Sequence, residues 1–147
     1  MSIHDAGRTR LSVLDLALRA TTAAGLAVDA FIHLQLSSMY QLAAPGGIGQ
    51  GNLFRIAAVA AVLAALYVLL RGSQAAYGAA FLAAASALGA VVLYRYVNVP
   101  ALGPLPSMYE PLWFAKKSAT ALAEALASVA AMAGLARGWR RAPPGQA

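Results

Sequence analysis

The chain has 147 residues, of which 61% are hydrophobic and only 11% are charged. Soluble domains carry about 25% charged residues, so this chain has too few charges to cover a water-exposed surface. Its net charge of +6 would suit a nucleic acid partner, but the basic residues are spread along the chain and form no basic groove. The absence of cysteine excludes disulfides and thiolate metal sites. The composition predicts an integral membrane protein that contacts the lipid bilayer and no nucleic acid.

Four stretches are long and apolar enough to cross a membrane as helices. A helix needs about 20 mostly apolar residues to cross about 30 Å of hydrocarbon. The second and third stretches each hold one arginine, Arg55 and Arg95, near an end, where a long side chain reaches the membrane surface. The first and fourth have polar residues in their middle and need neighbouring helices to stabilise them. The predicted spans are residues 11–36, 53–70, 75–97 and 113–135.

These spans predict one all-α domain over residues 1–141, an integral membrane four-helix up-down bundle, followed by a flexible C-terminal tail at 142–147. The alternative for the first span is a cleaved signal peptide, because basic residues precede it. Asp15 and Arg19 interrupt the apolar run that a signal peptide needs, which favours a retained helix.

The distribution of lysine and arginine predicts which ends of the helices face the cytoplasm. Six basic residues would lie on one side of the membrane and four on the other. We expect a multi-pass protein of the cell inner membrane with both termini cytoplasmic, and an inverted topology is the alternative. The cytoplasmic group comprises Arg8, Arg10, Arg71, Arg137, Arg140 and Arg141, and the outer group comprises Arg55, Arg95, Lys116 and Lys117.

Alanine recurs every four residues in three of the predicted helices. Ridges of small residues let helices approach closely, which is a main source of helix association in lipid. All three ridges together indicate one tight bundle. They comprise Ala57, Ala61 and Ala65; Ala75, Ala79, Ala83 and Ala87; and Ala119, Ala123, Ala127 and Ala131.

Two of the predicted helices carry a stripe of polar side chains. At about 100° per residue, each stripe occupies one face of its helix. Ionisable residues inside a membrane face the bundle interior and mark candidate functional sites. The first stripe comprises Thr22, Asp29, His33 and Tyr40, and the second comprises Lys117, Glu124 and Ser128, with Thr120 beside them.

The acids Asp29 and Glu124 are therefore expected to meet in an outward-facing pocket, paired with Arg55, Arg95 or Lys117. The alternative is that these groups form static ion pairs that fix the helix register.

The proline-rich connection 98–113 is conformationally restricted and enters the fourth span directly. We expect it to cover the outer mouth of the bundle, with Glu110 facing the pocket. The alternative is a loop seated in the headgroup region through Tyr109 and Trp113.

Asp29 and His33 lie one helical turn apart, a spacing that fits a metal pair or a proton relay. A metal site would need Glu110 or Glu124 as a further ligand, whereas a histidine that simply hydrogen-bonds Asp29 is the simpler alternative. The chain has two histidines, and His4 is near the terminus, so bis-histidine haem within one chain is excluded. The glycine-rich run 45–52 lacks the lysine and the preceding strand of a phosphate-binding loop.

The same residues carry a resemblance that extends over most of the chain. In a pattern that includes these residues, the sequence resembles a group of small, uncharacterised four-helix membrane proteins. This resemblance implies an architecture and no reaction. The size and four-span layout are also similar to DoxX-like membrane proteins, some of which associate with quinone-linked redox systems. The pattern comprises Asp29, His33, Arg95, Tyr96, Val97, Pro100, residues 103–106, residues 108–111, Trp113, Lys117 and Glu124.

The leading functional interpretation is a pocket that binds a small ligand, a lipid headgroup or a partner membrane protein, including a second copy of the chain. The first alternative is an intramembrane enzyme or redox accessory protein, in which Asp29 with His33 acts as a base and Glu124 as an acid. The second is a proton- or ion-coupled transporter. Metal and quinone remain open as cofactors.

Overall fold

The structure of the protein, a computed structural model, describes residues 12–43 and 48–141. Within these ranges the chain is all-α, as predicted, and its only strand-like pairs are two isolated backbone bridges between the third and fourth helices. The predicted tail at 142–147 and the basic residues Arg8 and Arg10 lie outside the described residues. The helices are α1 (Val13–Ala43), α2 (Gly49–Arg71), α3 (Gln74–Tyr96) and α4 (Ala115–Arg141).

Local capping interactions set the helix boundaries at two places. At the start of α1, the Ser12 hydroxyl accepts a hydrogen bond from the Asp15 backbone N–H at 3.1 Å. Gly72 closes α2 in the left-handed conformation, with φ at 55°, which costs a glycine little. Ser73 then caps α3 by accepting a hydrogen bond from the Ala76 backbone N–H at 3.2 Å. Two residues are therefore enough to join α2 to α3.

The helices pack in a closed order around a core of small side chains. Helix α1 contacts α2 and α4 extensively, and α3 contacts the same two helices. The approach of α1 to α4 is close because a Cβ at Gly25 would lie only 2.6 Å from the carbonyl oxygen of Ala123. The core consists largely of alanine, with Leu26, Val68 and Tyr77 as its larger members. This close packing is the arrangement that small residues allow.

The alanine ridges are mostly buried on α2 and α4, where Ala57 is half-buried and Ala119 is exposed, but the ridge on α3 is not buried as predicted. The buried alanines of α3 are Ala76, Ala80 and Ala84, one position beyond the predicted ridge, and Ala75 is exposed. The ring of Tyr77 faces Gly134 of α4, where a Cβ would collide with it. The Tyr77 ring packs against α4 at Gly134, where there is no side chain in its way. With Tyr77 facing α4, α3 turns Ala76, Ala80 and Ala84 toward the core in place of the predicted ridge.

Three helices, α2, α3 and α4, are long and apolar enough to cross a membrane. With its 31 residues α1 is also long enough, but it contains Asp15, Arg19 and Asp29 and is not among the helices that are apolar enough to cross a membrane. Its polar groups face inward, since Asp29 is 2% exposed, whereas Phe31 is 62% exposed. This distribution is the reverse of that on a helix of a soluble protein and is consistent with a membrane protein.

Candidate functional site

The two polar stripes meet between α1 and α4 in a buried cluster of Asp29, His33, Thr120 and Glu124. Nδ1 of His33 lies 2.7 Å from Oδ1 of Asp29, and the Thr120 hydroxyl donates to that same oxygen at 2.8 Å. Glu124 lies one turn beyond Thr120 on α4 and is fully buried. The one-turn spacing on each helix aligns the side chains, and the close approach at Gly25 lets them meet across the interface.

Thr120 connects the two carboxyl groups but cannot satisfy both. Its hydroxyl has one hydrogen to donate. The hydroxyl oxygen lies 2.8 Å from Oδ1 of Asp29 and 3.3 Å from Oε1 of Glu124. The stronger hydrogen bond therefore goes to Asp29. The second oxygen of Glu124, Oε2, is buried and has no hydrogen-bond partner among the described residues. A buried oxygen without a partner is destabilising and uncommon in folded proteins.

The arginines expected to pair with these acids lie elsewhere. Arg55 is exposed and donates to Oδ1 of Asn52 at 2.8 Å, because a charged side chain near a helix end reaches outward toward water. The guanidinium of Arg95 lies 5.0 Å from the centre of the Tyr96 ring. Within the described residues, the side-chain partner of Asp29 on its own helix is His33, and no arginine or lysine forms an ion pair with either acid of the cluster.

A second group of polar contacts fastens the connection between α3 and α4 to the helices. The Glu110 carboxylate accepts a hydrogen bond from the Tyr40 hydroxyl at 3.0 Å, and its backbone N–H donates to the Tyr94 carbonyl at 2.9 Å. Nζ of Lys117 donates to the Glu110 carbonyl oxygen and lies 5.4 Å from the centre of the Trp113 ring. One residue of the connection thus joins α1, α3 and α4.

Tyr40 lies beyond the predicted span 11–36, near the end of α1. Burial raises the pKa of Tyr40 to about 12, and the adjacent negative charge of Glu110 acts in the same direction. The phenol consequently keeps its proton at neutral pH and remains the donor in this hydrogen bond.

A cavity of about 230 Å³ lies between the helices and this connection. His33, Lys117 and Thr120 contribute polar groups to its wall, and Tyr40 and Glu110 lie at the wall as well. The remainder is mostly apolar. The Phe54 ring packs 5.1 Å from the His33 ring and 5.0 Å from the Tyr40 ring, measured between centres. The other apolar residues at the wall include Leu53, Ala57, Ala87, Ala90, Met108 and Phe114.

The structure brings together five of the seven residues proposed from the sequence and leaves Arg55 and Arg95 outside. Asp29, His33 and Glu124 form the cluster, and Glu110 and Lys117 lie at the cavity. The cavity is more apolar than the polar pocket that we expected. Its aromatic walls, Phe54 and Phe114, were not predicted, because a single aromatic residue in an apolar helix gives no signal of which cavity it faces.

The chain matches none of the protein-family models, curated proteins or solved structures with which it was compared. The resemblances drawn from the sequence stay predictions, and the functional argument depends on the geometry of the site.

Proposed function

We propose that the chain is a four-helix inner-membrane protein that binds a small amphipathic molecule in its central cavity. All four helices, α1 included, would cross the bilayer as an up-down bundle, with both termini cytoplasmic and the cavity near the outer face. The observation that carries the proposal is the cavity itself, which combines apolar walls with a few buried polar groups. This combination is typical of small-molecule sites.

The burial pattern of α1 supports its place in the membrane. Phe31 and Leu34 are more than half exposed, while Asp29 and His33 are buried. Lipid would cover the apolar side chains, and the polar ones would face the other helices.

The volume of the cavity sets the size of the ligand. A cavity of about 150 Å³ lined by apolar side chains holds benzene. The 230 Å³ available here therefore fits one ring with a short substituent, or a chain segment of similar volume.

The polar groups at the wall set the chemistry of the ligand. The Lys117 ammonium uses one hydrogen bond on the Glu110 carbonyl, and an ammonium has three donors. Thr120 and His33 lie at the same wall. We therefore expect a ring or chain that carries an oxygen acceptor, such as a carboxylate, rather than a cation.

Melting of the purified protein in detergent, followed by circular dichroism, tests this proposal. The probe is 4-ethylbenzoate, and the matched probe of opposite charge is 4-ethylbenzylamine. A ligand at 100 times its Kd stabilises the folded protein by about 2.7 kcal/mol, which is a measurable rise in melting temperature. We expect this rise with the acid and not with the amine.

Two variants separate binding in the cavity from partition into the micelle. Ala90→Leu fills the cavity, and Lys117→Met removes the cation while keeping the length of the side chain. Both should abolish the stabilisation by 4-ethylbenzoate. Ala60→Leu, at an exposed position of α2, is the matched control and should leave it unchanged. Equal shifts with both probes, or a full shift in Ala90→Leu, would refute the proposal.

An intramembrane enzyme or quinone-linked redox accessory protein is the second candidate, favoured by one observation. His33 lines the cavity and holds the Asp29 carboxylate at 2.7 Å, so its ring can accept a proton from a bound molecule while Asp29 stabilises the resulting cation. A quinone-type ligand that is reduced or reoxidised more slowly in His33→Gln would favour this function over simple binding.

A further inference from the structure

We propose that Asp29, His33 and Glu124 together bind one divalent transition-metal ion at the side of the cavity. This site goes beyond the binding of an amphipathic molecule and is argued from a different group of atoms. One ligand atom from each of the three residues lies within 4.8 Å of the other two, and all three residues are buried.

The geometry is close to that of a metal site. Bonds of about 2.1 Å from a tetrahedral ion to nitrogen and oxygen ligands place the ligand atoms about 3.4 Å apart. The shortest separation, 2.7 Å between Nδ1 of His33 and Oδ1 of Asp29, would have to open by about 0.7 Å, and separations up to 4.8 Å would have to close by at most about 1.4 Å. We expect rotation of the Glu124 side chain to supply most of this movement.

An unpartnered oxygen is the second observation. Glu124 is 0% exposed, and its Oε2 has no hydrogen-bond partner among the described residues. An additional ligand between the carboxyl groups would supply the missing partner.

The charges of a deprotonated cluster also suit such a ligand. Metal ligands bind in their deprotonated forms, so as ligands the two carboxylates and the neutral imidazole carry a net charge of −2, and no arginine or lysine in the described part of the chain forms an ion pair with the two acids. Buried charge is strongly destabilising unless it is compensated. A divalent cation brings the net charge of the site to zero.

The ligand types indicate the class of ion. Two carboxylates and one imidazole suit Mn²⁺, Fe²⁺, Co²⁺ or Zn²⁺, whereas Cu⁺ prefers the thiolates that this chain lacks. Three protein ligands leave at least one coordination position free. His33 and Thr120 also line the cavity, so the free position would face the space available to a small molecule.

Titration with Co²⁺ tests the site, because protein-bound Co²⁺ with four or five ligands absorbs visible light far more strongly than the hydrated ion. The full-length protein in detergent is stripped with EDTA, dialysed and titrated, and the bound metal is counted by mass spectrometry. We expect one Co²⁺ per chain and displacement of the band by Zn²⁺. Glu124→Gln and His33→Gln should each raise the Kd at least tenfold. Thr120→Val, which removes the hydrogen bond that orients Asp29, should raise it about tenfold.

Asp15→Asn is the matched control, since it removes a carboxylate from the same helix near its start and should leave the Kd unchanged. Circular dichroism establishes that each variant is folded, and Thr120→Val keeps both carboxylates if the other variants unfold. Only the weak spectrum of hydrated Co²⁺, or an unchanged Kd in Glu124→Gln, would overturn the assignment. Binding of 4-ethylbenzoate is measured with EDTA present, so the two proposals fail separately.

Discussion

Replacing Asp29 should destabilise the protein more than replacing any other acid of the described chain. Its carboxylate is 2% exposed and accepts two hydrogen bonds, from His33 at 2.7 Å and from Thr120 at 2.8 Å. Hydrogen bonds to a charged group contribute about 1.5–3 kcal/mol each. Removing one partner of a buried pair costs about 3–5 kcal/mol. The two hydrogen bonds give about 3–6 kcal/mol and the buried pair gives about 3–5 kcal/mol, so we expect Asp29→Ala to lower the free energy of unfolding by about 3–5 kcal/mol.

Asp29→Asn separates the loss of charge from the loss of hydrogen bonds. The amide oxygen can still accept from Thr120 or from His33, so we expect about half the loss seen for Asp29→Ala. Free energies of unfolding are measured by titrating the protein with sodium dodecyl sulfate in mixed micelles and following helix content. A double-mutant cycle of Asp29→Ala with His33→Ala should give a coupling of about 1.5–3 kcal/mol.

Asp15→Asn is the internal comparison. Asp15 pairs with Arg137 at 3.3 Å, and the two side chains are 19% and 31% exposed. Pairs in contact with solvent contribute about 1 kcal/mol or less. If Asp29→Ala and Asp15→Asn had the same small effect, Asp29 would have to be solvated, and the buried cluster would not exist.

Three further predictions address packing, topology and protonation. Gly25→Ala should lower the free energy of unfolding by about 1–3 kcal/mol through overpacking, since its Cβ would lie 2.6 Å from the Ala123 carbonyl oxygen of α4. Gly89→Ala, with open space around it, should raise the free energy of unfolding by up to about 1 kcal/mol, and equal effects would contradict the close α1–α4 contact. A reporter fused after α4 should be cytoplasmic and one inserted at 46–51 external; the opposite pattern would invert the topology. Tyr40 should titrate near pH 12, and Glu110→Gln should lower this pKa, so an unaltered titration in that variant would exclude the contact. The stability that comes from the raised pKa of Tyr40 is complete below about pH 10 and is lost as the pH rises toward 12.

The sequence predicts the helices and the inward direction of the polar stripes, because both follow from short-range geometry. The length of an apolar run determines whether it can cross a membrane as a helix. A polar side chain within such a helix is favoured only where it faces the other helices. The end of α1 is different, since the helix continues past the predicted span to Ala43. The number of consecutive apolar residues indicates which part of the chain matches the thickness of the bilayer, but the helix can continue beyond that part. Polar residues beyond residue 36 remain helical and form hydrogen bonds there. The Ser37 hydroxyl, for example, donates to the Leu34 carbonyl oxygen at 2.8 Å.

Contacts between helices could not be predicted in the same way. Residue spacing determines which residues share a face, but it does not determine the rotation or height of the neighbouring helix. On α3, alanine pairs such as Ala75–Ala76 and Ala79–Ala80 offer two equivalent ridges, and only the contact of Tyr77 with Gly134 decides between them. For the same reason, the sequence offered Arg55 as a partner for the acids although the fold places it outside.

The alanines that line the cavity give the final prediction. Ala57, Ala87 and Ala90 border a space of about 230 Å³ in a bundle that is otherwise closely packed. An unfilled cavity costs about 24 cal/mol per Å³, which gives at most about 5.5 kcal/mol here, and less where the space is open to lipid or water. A larger side chain at any of these positions would recover part of that free energy, and retaining a destabilising space is typical of a site that needs it. Ala90→Leu should therefore raise the free energy of unfolding of the ligand-free protein, measured in mixed micelles, while it abolishes stabilisation by 4-ethylbenzoate. The opposite sign, a loss of stability in Ala90→Leu without ligand, would mean that the walls cannot accept further volume and that the space is too small to hold a ring.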